Sequence, residues 1–537
     1  MAATIIPFEL PLQPALPTIE GNVDYRLLRD QFQCWDQLLL HSGVETQFMT
    51  SSLQDWLARA EPGRAPSAKA QRRFQEHSRR ALRCNMARTL LREDFRGFAA
   101  RVADSPLLQH FCGLSRLDKV QVPSKSTLQR YEQWIPEPKV RELIHQLLRR
   151  GQEQPQQLHL EQPLDLESYF LDTTCLKAYI HFPVDWVLFR DATRTLMKAV
   201  RLIRDEGLKH RMEEPEVFLS RMNGLCMEMS RAHGQSDSQR RRKRTFRKID
   251  TLARVVRDHA QRYRQILDEQ WQKTDWTRKQ AEQVLRRMDQ VLEQLPAARR
   301  QARQRILKEE PVKNQDKILS LYEPEVRVLV RHKAGAEVEF GNTLLLGESL
   351  DGLIVDWELF AQSAPADSRL LVRSLERTQA NLAVEMDLLG ADRGFDSQSN
   401  QDKLSKLQVY NAVCPRKPAQ LKKRKRSWKF KAAQRRRAQT EGRIGILKEN
   451  FFGSPLRRKG FAHRNLAVTW GVLTHNLWVI ARLIQAQAKE KKAAWLGRGH
   501  SATGHAGSAV YCTREKSTDY RVGHQLRVER LITDKAM

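Results

Sequence analysis

The chain predicts an α/β fold: a mixed sheet covered by helices, with helical segments both before the sheet and inserted into it. Three observations carry this expectation. Leu166–Phe182, LESYFLDTTCLKAYIHF, is rich in aromatic and β-branched residues and favours a strand between two helical stretches. From Glu325 the apolar period switches to two, so that VRVLVR, AEVEFGNTLLL and GLIVDWELF read as three consecutive strands of a meander. Helix and strand then alternate, which places helices over a mixed sheet.

Composition narrows the class. The 537 residues are too many for one ordinary core, and length alone suggests roughly three to four domains. Lys plus Arg number 93 against 63 Asp plus Glu, a formal charge of +30, so a polyanion is the expected partner. With 40% hydrophobic and 29% charged residues, the chain can still bury real cores. The seven cysteines form no C-x-x-C, which excludes a zinc ribbon or disulfide framework and suits a reducing cytoplasm. The first residues, MAATIIPFELPLQPALPTIEG, lack a basic start and hold four prolines, unlike a signal peptide. LAVTWGVLTHNLWVIARLI, residues 466–484, contains Thr469, Thr474, His475, Asn476 and Arg482, so it reads as a buried helix and no membrane partner is expected.

In chain order, residues 1–22 read as a Pro-rich leader and 23–150 as a helical, basic domain. Near its end lies PSKSTLQRY, residues 123–131, a Ser cap followed by a short helix. It is either the start of a DNA-reading helix, with Lys125, Gln129 and Arg130 reaching base edges, or an ordinary capped helix. The stretch 186–321 is helical. Ala281, Val284, Leu285, Met288, Val291, Leu292 and Leu295 form an apolar stripe ended by Pro296. Leu252, Val255, Val256, Tyr263 and Ile266 form a second, and the two helices are expected to pair antiparallel. After the meander come a helix over 366–380, a strand over 382–391, a strand over 409–414 and helices from 432 to 491. The residues 492–537 read as a disordered tail.

Three acids stand out by context. Asp172 lies inside a strand-like run, Asp392 ends an apolar strand before Arg393-Gly394-Phe395-Asp396, and Glu441 lies on a helix. Such carboxylates cost free energy unless paired with a cation. They either hold a hard divalent ion together with substrate phosphates, or cap strands and pair with arginines. Gly442 and Gly445 disfavour the helix of Glu441 by about 1 kcal/mol each, as expected where a substrate approaches closely. Lys448 follows Glu441 by two helical turns and shares its face, an arrangement suited to a phosphodiester.

Basic runs supply phosphate contacts. Residues 415–437 hold 12 Lys or Arg and no acid, including Lys422, Lys423, Arg424, Lys425 and Arg426, with Trp428 and Phe430 interleaved. Cations there neutralise phosphates and aromatics stack on unpaired bases. Arg240–Lys248 has seven basic residues in nine, and reads equally as a DNA contact or a solvated loop.

LDTTCLKAYIHFPVDWVLFRDA around Asp172, GADRGFDS around Asp392 and RRAQTEGRIGILKENFFGSPLRRKGF around Glu441 together resemble bacterial insertion-sequence transposases of the DDE class. The likeness is to the large members outside the main classified groups, and it runs from about residue 70 to 490. The resemblance implies a ribonuclease H-like catalytic core over 160–185 and 322–491, a helical N-terminal DNA-binding domain over 23–150 and a helical insertion over 186–321. It implies catalytic and metal-holding roles for Asp172, Asp392 and Glu441, DNA contact by Lys448, and a family-like but unassigned His475-Asn476 pair. The implied cofactor is two Mg²⁺ ions about 3.5–4 Å apart, with Mn²⁺ a substitute. The implied partners are double-stranded DNA, as terminal inverted repeats and as target, and further copies of the chain. The insertion after the first strand departs from the usual order, and Asp185, Asp191 and Asp356 are rival first acids. Tyr131 and Tyr410 receive no catalytic role. A nuclease of the same fold and a non-catalytic DNA-binding regulator stay as alternatives.

Overall fold

The computed structural model describes residues 12, 14–16, 18–59, 66–232, 237–333 and 336–499. It is a mixed α/β structure built on an open, six-stranded mixed sheet. Most of the leader expected at 1–22, and the tail beyond residue 499, lie outside the described residues.

The strands are β1 (Ser168–Lys177), β2 (Arg327–Lys333), β3 (Ala336–Ser349), β4 (Ile354–Leu359), β5 (Leu388–Ala391) and β6 (Tyr410–Asn411). Their order is β2-β3-β1-β5-β6, with β4 also on β3. The meander forms as expected: β2 runs antiparallel along the first half of β3 and β4 along its second half. β1 is central, antiparallel to β3 and parallel to β5. A Cβ at Gly347 of β3 would fall within 2.1–2.5 Å of the Tyr169 ring, so only glycine lets the two strands carry that tyrosine between them.

Two strands are shorter than their sequence implies. The run 382–391 gives only β5, because α12 (Asp367–Leu382) extends to Leu382 and ends on Ala383 in the left-handed region at φ 56°. The run 409–414 gives a two-residue β6, although the pairing continues through Ala412 N–H to Leu389 O at 2.8 Å and Cys414 N–H to Ala391 O at 3.0 Å.

Before β1 come α1 (Val23–His41), α2 (Val44–Ala58), α3 (Ala68–Leu90), α4 (Phe95–Asp104), α5 (Pro106–Phe111), α6 (Lys125–Glu132) and α7 (Glu137–Glu153). The apolar faces of these helices and of β1 belong to one cluster, running from Phe32 and Trp35 through Leu128 and Tyr131 to Leu171, Trp357 and Trp470. Among the described residues, no break in packing separates 23–150 from the sheet. Ion pairs reinforce the first helices: the buried guanidinium groups of Arg79 and Arg83 on α3 both donate to Glu45 of α2.

The insertion has its own core. α8 (Asp185–Asp205), α9 (Pro215–Arg231), α10 (Ser238–Gln270) and α11 (Arg278–Ala302) bury Phe189, Phe218, Phe246, Tyr263, Met288 and Leu295 together. Pro296 does not end its helix; α11 runs on to Ala302, with the stripe residues facing the core. Arg240–Lys248 lies within α10 rather than in a loop.

The sheet is covered on both faces. On one side the Tyr169 hydroxyl hydrogen-bonds Ser374 of α12 at 2.6 Å. On the other lies α15 (Trp428–Ile446), preceded by α13 (Gln398–Lys406) and α14 (Pro418–Arg424). Arg436 of α15 stacks over the Phe170 ring at 4.8 Å. α15 is fixed by Glu348, a carboxylate of β3 only 2% exposed, which receives Arg443 at 2.7 Å and Arg436 at 3.0 Å. Burial by itself would push the Glu348 carboxyl up, but the two guanidinium charges outweigh it and hold the carboxyl below its ordinary range.

α16 (Phe461–Gly499) carries the stretch expected to be a buried helix. Its segment Phe461–Ala488 is the one described helix long and apolar enough to cross a membrane, and 72% of its apolar 18-residue window is buried inside the protein. The helix also extends through residues 492–499, the first part of the expected tail. His475 and Asn476 have structural work here. Asn476 donates to Ile354 O at 2.8 Å and accepts from Ile354 N–H at 2.9 Å, which closes the outer edge of β4. His475 lies edge-on to Phe451, and burial lowers its pKa to about 4, so it is neutral.

Replacing Glu348 with Gln leaves two buried guanidinium groups short of their counter-charge. A loss of about 3–5 kcal/mol is expected for such a broken buried pair, read as a lower thermal midpoint. The sign with pH follows from the lowered carboxyl. Its stabilisation is present above the ordinary Glu value of about 4.3 and is lost as pH falls through the folded value. The acid-side fall in midpoint should therefore be shallower in Glu348→Gln than in the parent protein.

Candidate catalytic centre and DNA-facing surface

β1 and β5 are parallel and in register, with Leu171 opposite Ala391. The next residue on each strand is an aspartate, so Asp172 and Asp392 leave the sheet side by side. Asp172 Oδ1 accepts the Thr173 N–H at 2.7 Å, and Asp392 Oδ1 accepts the Gly394 N–H at 2.8 Å as the cap of a short turn. Both are half-buried, and neither takes part in an ion pair among the described residues. Burial, followed by the negative charge of Asp392, pushes the Asp172 carboxyl up to about 6, while the Thr173 N–H and Arg437 act against the rise.

The rival acids are engaged elsewhere. Asp356 is fully buried and bonded to Ser374 and to Arg377, whose Nη2 lies 2.6 Å away. Asp185 receives Gln301 at 2.8 Å and Arg305 at 2.7 Å, and Asp191 receives His181 at 2.8 Å.

α15 presents the third acid. Its buried line, Phe430, Ala433, Arg436, Thr440 and Ile444, faces the sheet. At 100° per residue, Arg437, Glu441 and Lys448 fall within about 40° of one another on one flank of that line. The two ends of this stripe reach the aspartate face of β1. Arg437 is close enough to influence Asp172, and Lys448 Nζ hydrogen-bonds Thr174 Oγ1 at 3.3 Å from the π-helical turn Leu447–Phe452. Glu441 lies between them and is exposed. A Cβ added at Gly442 or Gly445 would meet nothing within 4 Å, so both glycines leave the outer side of the helix open.

A fourth acid escapes the sequence reading. Asp367, first residue of α12, accepts the Thr173 hydroxyl at 3.2 Å and adds to the rise at Asp172. A Cβ at Gly394 would fall 2.6 Å from Asp367 Oδ2 and 3.0 Å from Asp392 Oδ1, so glycine there lets the two carboxylates approach. An acid in the first turn of a helix is common for dipole reasons, so nothing local in the sequence marks this one.

Among the described residues, no three His, Cys, Asp or Glu side chains converge on one point as a ready metal cage. The donor set present is the Asp172–Asp392 pair. It suits Mg²⁺, which binds through one or two carboxylates and completes its shell with water and substrate phosphates. Glu441 is brought to the same side of the sheet without joining the pair as a third ligand.

The basic tract 415–437 is two helices rather than an extended loop. Lys422, Lys423, Lys425 and Arg426 are exposed, and Trp428 stands 81% exposed at the start of α15. Arg424 differs from its neighbours: its guanidinium is half-buried and donates to the carbonyls of Asn411 at 3.2 Å and Val413 at 3.1 Å. Phe430 is buried against Phe170 and Ala412. On α6, Ser124 caps the helix by accepting the Thr127 N–H at 3.3 Å. Leu128 and Tyr131 face the core, while Lys125, Gln129 and Arg130 are exposed together.

Comparison with family models, curated proteins and solved structures finds no match to this chain.

The raised Asp172 carboxyl carries its own sign. A folded pKa above the ordinary aspartate value means stability falls as pH rises from about 4 through about 6. Asp172→Asn keeps an oxygen for the Thr173 N–H and removes the charge. It should melt higher than the parent at neutral pH, with the difference vanishing below about pH 4. Millimolar magnesium should raise the midpoint of the parent at neutral pH and leave that of Asp172→Asn unchanged.

Proposed function

We propose that this chain is a DNA transposase of the DDE class, which binds the terminal inverted repeats of an insertion sequence, cuts at the element's ends and joins the 3′-OH to target DNA. The observation that carries the reading is the pair Asp172 and Asp392, set side by side by parallel strands and flanked by the Arg437–Glu441–Lys448 stripe. A central strand antiparallel to a meander on one side and parallel to a short strand on the other supports a ribonuclease H-like core.

Asp172 and Asp392 would hold Mg²⁺, with Glu441 as the third acid. When bound, the metal supplies activation of the attacking oxygen and stabilisation of the leaving one. The chain's own groups do the rest. Lys448, anchored on Thr174, presents an ammonium beside the acids for a phosphate. Lys422, Lys423, Lys425 and Arg426 offer a sequence-independent grip on the backbone, and Trp428 a face for an unpaired base. Lys125, Gln129 and Arg130, exposed on α6, would read base edges. No nucleophilic side chain is needed, because water and the DNA 3′-OH serve in turn.

Two measurements test this. Asp172→Ala, Asp392→Ala and Glu441→Ala should each abolish cleavage of a labelled element end in Mg²⁺ while binding to that end persists. Near-normal cleavage by any one of them removes that residue from the catalytic set, and for Glu441 makes Asp367 its replacement. Strand joining to plasmid DNA separates a transposase from a nuclease that only cuts.

Replacing Lys422, Lys423, Lys425 and Arg426 together with Gln, leaving Arg424 in place, should weaken repeat and random DNA by similar factors. The slope of log affinity against log salt should fall by about 0.9 for each phosphate that is no longer neutralised. An unchanged slope in titrations across a salt series would make the tract a solvated surface.

A further inference from the structure

Between α3, the loop 114–122 and α6 lies a cavity of about 450 Å³. Part of its lining is aromatic. Trp134 stacks at 5.2 Å on Phe74, which stacks at 4.6 Å on Trp56, and the Trp134 indole N–H donates to Ser78 Oγ at 2.8 Å. Tyr131 meets Trp134 edge-on at 5.6 Å, and its hydroxyl shares a hydrogen bond with His77 Nδ1 at 3.1 Å. Trp134, Tyr131 and His77 all line the cavity, whereas Phe74 does not, so the cavity meets Trp134 on a side that the stack leaves open. Burial, followed by the charges of Arg80 and Arg73, lowers the His77 pKa and keeps that ring neutral at pH 7.

The same cavity holds a cation that the fold compensates only weakly. Arg80 is 5% exposed. Its Nε donates to Gly113 O at 3.0 Å, and its Nη2 lies 3.6 Å from Glu76 Oε2, an oxygen already taken by Arg116 at 2.8 Å. Its Nη1 has no partner among the described residues. A buried guanidinium in this state calls for an anion. No carboxylate lines the cavity, and its remaining polar border includes Ser124 and Thr127 at the start of α6.

We propose that this cavity binds a single nucleotide, with the base against Trp134 and Tyr131 and the phosphate on Arg80. Its volume lies in the range of small-molecule sites, and rings beside a buried cation fit a planar heterocycle joined to a phosphate. Neither half of such a ligand uses the whole lining. The nucleotide is either free or unstacked from a DNA strand, and the chemistry recognised is the same. The site stands apart from the transposase reading, because a chain that cuts no DNA would still bind at it.

The test is calorimetric titration of the full, DNA-free chain with AMP, adenosine and inorganic phosphate, and then with a duplex bearing a one-nucleotide bulge and its matched counterpart. A free-nucleotide site binds AMP at least tenfold more tightly than adenosine or phosphate. A site for a DNA nucleotide instead prefers the bulged duplex to the matched one. Val122→Trp fills the cavity from a residue 36% exposed, and Arg80→Gln removes the cation; each should weaken the preferred ligand at least tenfold. Val122→Trp leaves the interior untouched, so it reports even if Arg80→Gln does not fold. A Val122→Trp protein that binds AMP and the bulged duplex as the parent does overturns the proposal. So does phosphate binding as tightly as AMP with no preference for the bulge, which would leave an anion site only.

Discussion

The structure turns on one buried carboxylate. Glu348 sits on the longest strand, away from water, and takes guanidinium groups from Arg436 and Arg443, which lie two turns apart on α15. Two turns fixed at one point determine both the rotation and the height of a helix, and so decide which of its flanks faces β1. With that rotation set, Arg437, Glu441 and Lys448 line up toward the aspartates. Slipped by one residue, the helix would turn by about 100° and carry Glu441 away. The glycines of α15 are tolerated because its position does not rest on helix propensity.

A second constraint acts on the aspartates. Two carboxylates leaving adjacent parallel strands cannot avoid each other, and the fold supplies no lysine or arginine at pairing distance among the described residues. Three buried acids near the sheet are compensated: Asp356 by Arg377, Glu323 by Arg464, Glu348 by its two arginines. In a chain so rich in cations, leaving this pair outside any ion pair among the described residues, with Arg437 acting only from a distance, sets it apart from Asp356, Glu323 and Glu348. The need of such a pair for a cation is a matter of chemistry and is independent of any likeness to other proteins.

Much of this is legible in the sequence, and the failures have physical causes. The meander, α12, the helix of Glu441 and the cap at Ser124 follow from period and capping, which are local. The strand at 382–391 reads too long because its apolar run is shared between a helix end and a four-residue strand, and periodicity does not divide such a run. Pro296 reads as a helix stop, yet burial of Leu295, Ala298 and Ala302 on both sides of it keeps α11 continuous. Arg424 looks like its neighbours because its carbonyl partners lie on another segment. Asp367 is invisible for the same reason: its importance lies in Thr173 and Gly394, far away in the chain.

The core shared by α6 and the sheet has an evolutionary consequence. Proteins whose helical and sheet parts are separate modules can evolve by exchanging one part whole. Here such an exchange would tear apart the cluster that joins Leu128 and Tyr131 to Leu171 and Trp470. Change is open to this part of the chain mainly through single substitutions on the outward side of α6, at Lys125, Gln129 and Arg130, where a side chain can change without touching the interior. A lineage built this way would diverge by small surface steps, each compatible with the same unbroken core.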